Sequence, residues 1–194
     1  VLFRSLLSTA AQAGDATTVS ELLEMGAQLE RVDRTNRTPL MYAARSKNPE
    51  VIRILIEAGA DIKARDRLGN TPLSWASGFG TPDVVQALID EGADANTVGV
   101  ALGWTPLLWA SGFGDSDSIP ILIKAGADVN VYDTIEGRTP LMHAVRTGTT
   151  EGVATLLEAG SNVNAIDNIE MTALHIGAQN SNVTLDKIKL LVEA

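Results

Sequence analysis

The sequence predicts an all-α solenoid, a stack of short helix–turn–helix units rather than one globular core. Two recurring phrases carry the prediction. Thr38-Pro39-Leu40, Thr71-Pro72-Leu73, Thr105-Pro106-Leu107, Thr139-Pro140-Leu141 and Thr172-Ala173-Leu174 return at steps of 33, 34, 34 and 33 residues. Gly26-Ala27, Gly59-Ala60, Gly92-Ala93, Gly126-Ala127 and Gly160-Ser161 keep the same time, each after a Leu/Ile pair. Two phrases locked to one period along the chain mark a repeat array.

Residues 66–98 show how one unit is built. Asp66-Arg67-Leu68-Gly69-Asn70 is a turn, in which Asp accepts local backbone bonds and Gly supplies positive φ. Thr71 stands where a helix N-cap belongs, and Pro72 at the first helical position, where its missing N–H costs nothing. Leu73 to Phe79 makes a short helix ended by Gly78 and Gly80. Asp83 to Ile89 starts a second helix with its apolar residues on one stripe, and Gly92 stops it. Two such helices bury too little surface alone, but stacked copies bury enough. Ala76, Ala110 and Ala144 let neighbouring inner helices approach closely.

The pattern Asp-x-x-Gly-x-Thr-Pro-Leu-x-x-Ala, then a Leu/Ile pair, then Gly-Ala-Asp-x-Asn, resembles the ankyrin repeat across residues 6–194. Units fall at about 6–32, 33–65, 66–98, 99–132, 133–166 and 167–194, forming a single domain over 1–194. The resemblance implies an L-shaped unit with a hairpin-like finger and two antiparallel helices. It further implies a concave face, made of fingers and inner helices, on which the family binds partners.

Individual units depart from the pattern. The fourth lacks the opening Asp and carries Gly99-Val100-Ala101-Leu102-Gly103-Trp104 instead; it and the fifth have one extra residue each, placed in their fingers. Pro120 inside the second helix of unit four should shorten or kink that helix. Unit two has Lys47 for the inner-helix Gly and Asn36, which tolerates left-handed φ, for the turn Gly. Unit six has Ala173 for Pro, Glu170 for the turn Gly and an extra residue near Asn182. Val1 to Ser5 reads like an assembly scar on a metagenomic, bacterial reading frame, and the chain stops at Ala194 where the period calls for the next Gly.

Composition narrows the function classes. No apolar run approaches the roughly 20 residues that cross a bilayer, so a soluble chain without membrane partners is expected. There is no cysteine, which excludes disulfides and thiolate sites and leaves the compartment open. The net charge of -9 argues against a general nucleic-acid binder. Residues 1–67 hold 10 Lys/Arg against 9 Asp/Glu, a net of +1, whereas 68–194 hold 5 against 15, a net of -10. The chain reads as a rod with a neutral end and an acidic end.

An enzyme reading fails on inventory: catalytic residues, cofactors and metals are all expected to be absent. His143 and His175 fall on neighbouring inner helices and should tie adjacent units by hydrogen bonds. The Asp residues recur at caps, and the glycines obey the repeat rather than forming a phosphate loop. The hexapeptide Trp-Ala-Ser-Gly-Phe-Gly occurs at 75–80 and 109–114. Its tryptophans, Trp75 and Trp109, should be core. Phe79 and Phe113, ending successive inner helices, should form an aromatic ladder with Trp104, unless they fold against their own second helices. Arg34, Arg37, Arg65 and Arg67 lie on fingers, with Arg45 and Lys47 on the adjoining inner helix. They are either a carboxylate- or phosphate-binding cluster or a solvated surface paired with Asp33, Asp61 and Asp66.

The sequence thus points to a non-catalytic module that binds another protein, of unspecified identity, through Arg34, Arg37, Arg45, Arg67, Phe79, Trp104, Phe113, Arg138 and Arg146. The alternative is a spacer segment of a longer array that associates end to end through unit six. Val183, Leu185, Ile188 and Leu191 are expected to lack cover there.

Overall fold

The computed structural model describes residues 6–180 and 183–194. Residues 1–5 and the proposed insertion near Asn182 lie outside them. Twelve α-helices and no strand occur among the described residues, in six successive pairs: α1 (Leu6–Ala13) with α2 (Ala16–Glu24), α3 (Pro39–Ala43) with α4 (Pro49–Glu57), α5 (Pro72–Phe79) with α6 (Pro82–Asp90), α7 (Pro106–Phe113) with α8 (Ser118–Lys124), α9 (Pro140–Thr147) with α10 (Thr150–Glu158), and α11 (Ala173–Gln179) with α12 (Leu185–Glu193). The odd-numbered helices pack on one another in order and form an inner row; the even-numbered helices form an outer row. One continuous core runs between the rows, from Leu7 and Val19 through Leu73, Leu88, Leu107 and Leu122 to Ile176 and Leu191. It is an all-helical solenoid.

Helix ends follow from the repeated phrases. The Thr38, Thr71, Thr105, Thr139 and Thr172 hydroxyls each accept from the backbone N–H three residues on. They thereby satisfy a donor that the helix leaves without an internal partner. At the outer-helix ends Gly26, Gly59, Gly92, Gly126 and Gly160 have φ between 81° and 97°. The following N–H reaches back to a leucine carbonyl, as from Ala60 to Leu55 (2.9 Å) and from Ala93 to Leu88 (3.0 Å). A Cβ on these glycines would meet nothing within 4 Å, so it is the backbone angle that selects glycine.

Finger glycines are selected for a second reason. Asn36, Gly69, Gly103, Gly137 and Glu170 all hold positive φ, from 63° to 78°. Each finger also donates to the one before it: Arg67 N to Thr35 O, Val100 N to Leu68 O, Thr134 N to Leu102 O and Asn168 N to Glu136 O, at 2.9 to 3.0 Å. A Cβ on Gly69 would lie 2.6 Å from Val100 N, so glycine also makes room for the next finger. Asn36 sends its side-chain amide across to Arg65 O (2.7 Å). The bond closing each finger spans four residues from Asp33 to Arg37 and from Asp66 to Asn70, but five from Gly99 to Trp104 and from Asp133 to Arg138. The extra residues of the fourth and fifth repeats are thus accommodated in the finger loops.

Pro120 shortens α8 to seven residues, against nine for α4, α6 and α10. It sits in the first turn, where its missing N–H removes no internal bond. At α12 the expectation of four uncovered residues is only partly met. Leu185 and Val192 are exposed, but Leu191 is buried and Val183 and Ile188 are half-covered against the preceding helices.

Candidate functional site

The residue before each of the first four helix-capping threonines and the residue seven after it recur at the end of the finger and the end of the inner helix. The first column reads Arg37, Asn70, Trp104, Arg138; the second reads Arg45, Gly78, Gly112, Arg146. Guanidinium groups therefore stand at both ends, with small or aromatic residues between. The glycines are occupied by their neighbours. A Cβ on Gly78 would lie 3.0 Å from the Trp109 ring, and one on Gly112 would lie 3.3 Å from the Trp104 ring.

These positions create a run of aromatic contacts across three repeats. Ring centroids lie 5.5 Å apart for Trp75–Phe79, 5.6 Å for Phe79–Trp109, 5.8 Å for Trp109–Phe113, 5.4 Å for Phe113–Trp104 and 4.9 Å for Trp104–His143. Phe79 and Phe113 remain 45% and 59% exposed and rest against inner-row tryptophans. Trp109 stands between them as a rung. Trp75 is buried as expected, but Trp109 is only half-buried. Trp104 is 7% exposed and supports the ladder from beneath instead of presenting a finger-tip ring.

At the first end of the run, the Arg37 guanidinium lies 4.1 Å from the Trp75 ring centroid. Arg45 lies 5.5 Å from the same ring and 5.6 Å from Phe79. Both arginines are half-buried, and their Nε atoms are buried without a hydrogen-bond partner. Among the described residues neither has a carboxylate within ion-pair distance, and neither do the exposed Arg34 and Arg67. The reading in which Asp33, Asp61 and Asp66 neutralise this cluster is not met, and both oxygens of Asp33 and Asp66 are used elsewhere. Asp33 accepts from the Thr35 and Arg37 N–H groups and from the Tyr42 hydroxyl (2.6 Å). Asp61 accepts from Lys63 N, while Asp66 takes Leu68 N, Asn70 N and Trp75 Nε1. Arg65 donates to the Val98 and Gly69 carbonyls.

The other end differs. Arg138 is paired with Glu136 (2.7 Å) and Asp167 (3.5 Å). Arg146 has a buried, unpartnered Nε and no ion pair among the described residues. Both arginines line a cleft of about 320 Å³ with Ile169, Met171, Ile176, Gln179 and Asn180.

The histidine side chains do not tie adjacent units by hydrogen bonds; each bonds within its own unit. His143 Nε2 lies 2.8 Å from Asp133 Oδ2, and His175 closes a capping box with Thr172. Burial pushes His143 below its ordinary value despite the pull of Asp133, and Arg146 and Arg138 push the same way. Among the described residues no cluster of three His, Cys, Asp or Glu is placed to hold a metal ion. No helix there is long and apolar enough to cross a membrane.

No curated protein matches the chain. The family model described as ankyrin repeats in three copies matches residues 3–66, 63–133 and 113–194, which together take in every position from the first helix to the last. With helix pairs, finger loops and caps in the same period, the chain belongs to the ankyrin-repeat family.

Proposed function

We propose that this protein is a non-catalytic interaction module that binds another protein on the face formed by its fingers and inner helices. Ankyrin repeats generally serve as protein–protein interaction modules. The observation that carries the assignment to this face is the pair of phenylalanines held half-exposed on a rigid aromatic base. Aromatic anchors on a preorganised surface lose little entropy on binding, and such residues contribute about 2 kcal/mol or more when a partner buries them. Phe79 and Phe113 are the anchors. Arg34, Arg37, Arg45, Arg67 and Arg146 supply the polar contacts, while Trp104 and Arg138 hold the surface in shape. The double variant Phe79→Ala/Phe113→Ala should bind a protein captured on the wild-type chain at least about tenfold more weakly, about 1.4 kcal/mol. Unchanged affinity in a folded double variant would remove the aromatic anchors from the proposal.

A second reading rests on α12. Leu185 and Val192 present apolar side chains on its outer side, and end-to-end association through this helix would cover them. Light scattering that gives a monomer at high concentration would count against it.

A further inference from the structure

The charge pattern on the proposed binding face specifies the chemistry of its partner, an inference that rests on the reading above. In a chain of net charge -9, Arg37 and Arg45 are two guanidinium groups with no carboxylate in ion-pair reach among the described residues, held against the Trp75 and Phe79 rings. The rings hold each guanidinium at this corner, and a planar guanidinium fork suits a carboxylate. Their Nε atoms, and that of Arg146, are buried, so a ligand carboxylate would meet the terminal N–H groups of each fork. Between the two poles lies the apolar surface of Phe79 and Phe113.

We infer that the partner contributes an extended acidic segment, with carboxylates at both ends and large apolar side chains between them, laid along the row from Arg37 and Arg45 to Arg146. Helix α3, which carries Arg45, and helix α9, which carries Arg146, are three packing steps apart in the inner row. At about 8–10 Å per step, that is roughly 24–30 Å. An extended chain rising about 3.3 Å per residue crosses it in roughly seven to nine residues. Carboxylates therefore belong at the two ends of such a stretch, not throughout it. The flat forks of two separate arginines suit single carboxylates, and the half-exposed phenylalanines suit the apolar middle.

The test is selection from a random peptide library displayed on phage, using the full chain as bait. Selected peptides should share Asp or Glu near both ends of a stretch of that length, with aromatic or aliphatic residues between. Their synthetic versions should lose at least about tenfold in affinity when Glu and Asp become Gln and Asn, when salt rises from about 0.05 to 0.5 M, or with Arg37→Gln/Arg45→Gln. If that variant does not fold, Arg37→Lys/Arg45→Lys, which keeps the charge and loses the fork, should also bind more weakly. Peptides without acidic residues that still fail to bind Phe79→Ala/Phe113→Ala would overturn the charge inference and leave the proposed face standing. Peptides indifferent to both sets of substitutions would remove both. A phosphoserine peptide binding tenfold more tightly than its glutamate counterpart would overturn the choice of carboxylate, and failure to enrich any sequence would overturn the inference outright.

Discussion

His143 Nε2 lies 2.8 Å from Asp133 Oδ2, with both side chains almost wholly buried and the Trp104 ring packed on the imidazole. Because the carboxylate can only accept, Nε2 carries the proton and Nδ1 is left bare, without a hydrogen-bond partner. Protonating Nδ1 would bury a new N–H with no acceptor. Desolvation and the nearby Arg146 and Arg138 oppose it as well.

A pH dependence of stability follows. The folded-state value of His143 lies below its ordinary 6.5, so the unfolded chain takes up this proton first as pH falls. The stabilisation is complete above about pH 7 and declines below about 6.5, toward the lower folded value. Thermal melts at intervals between about pH 7.5 and 5.5 should show a falling midpoint for the wild type and a flatter trend for His143→Gln. Equal slopes would mean that another group titrates.

Asp33 governs a separate, more acidic window. Burial alone would raise its carboxyl, but the Tyr42 hydroxyl and the N–H groups of Arg37 and Thr35 overcome that and hold it at about 2, against an ordinary 3.8. Its contribution is therefore present above about pH 4 and lost as pH falls toward 2. Tyr42→Phe removes a 2.6 Å bond to the carboxylate and should cost about 1 kcal/mol near neutrality. The acid-unfolding midpoint should move upward in the variant, as circular dichroism would record.

Local chemistry made the scaffold legible. Thr caps, Pro at the first helical position, and Gly or Asn at left-handed positions act within a few residues, so the period reveals them directly. The candidate site depends on contacts a whole repeat apart. Trp104 occupies the same register as Arg37 and Arg138, and nothing in its own finger marks it for burial; the absence of a side chain at Gly112 makes the space its ring fills. Asp33 and Asp66 looked available to the arginines because they are near in sequence. Turn N–H groups, Tyr42 and Trp75 use their oxygens first.

The last two positions of the positive-φ column in the fingers make opposite predictions. Glu170 holds φ of 63°, a conformation that costs an ordinary residue about 1–2 kcal/mol. Glu170→Gly should relieve part of that strain and raise stability by about 0.5–1 kcal/mol, after the greater entropy of glycine in the unfolded chain. Gly137→Ala should do the reverse. Its φ is 71°, and the added Cβ would lie 2.5 Å from Asn168 Oδ1 in the next finger. Urea titrations of the two variants should bracket the wild type, and two midpoints on the same side would contradict this account of the fingers.

Lys187 anchors the last helix to the preceding repeat. Its ammonium group is buried and donates to Gly148 O (2.6 Å) and to Ala144 O and Val145 O (3.3 Å each), capping the carbonyl end of α9. Burial disfavours the charged form and pushes its value down, yet the three carbonyls and the negative end of the helix dipole supply the compensation. Lys187→Met keeps most of the apolar stem and takes this donor from the Gly148 and Val145 carbonyls, while Ala144 O keeps the Gly148 N–H, a cost of about 1–3 kcal/mol. Because each repeat is held by its neighbour, the loss should be local: hydrogen exchange should quicken through α11 and α12, while α5 and α7 stay protected. Uniform acceleration along the chain would show instead that the array unfolds as one cooperative block.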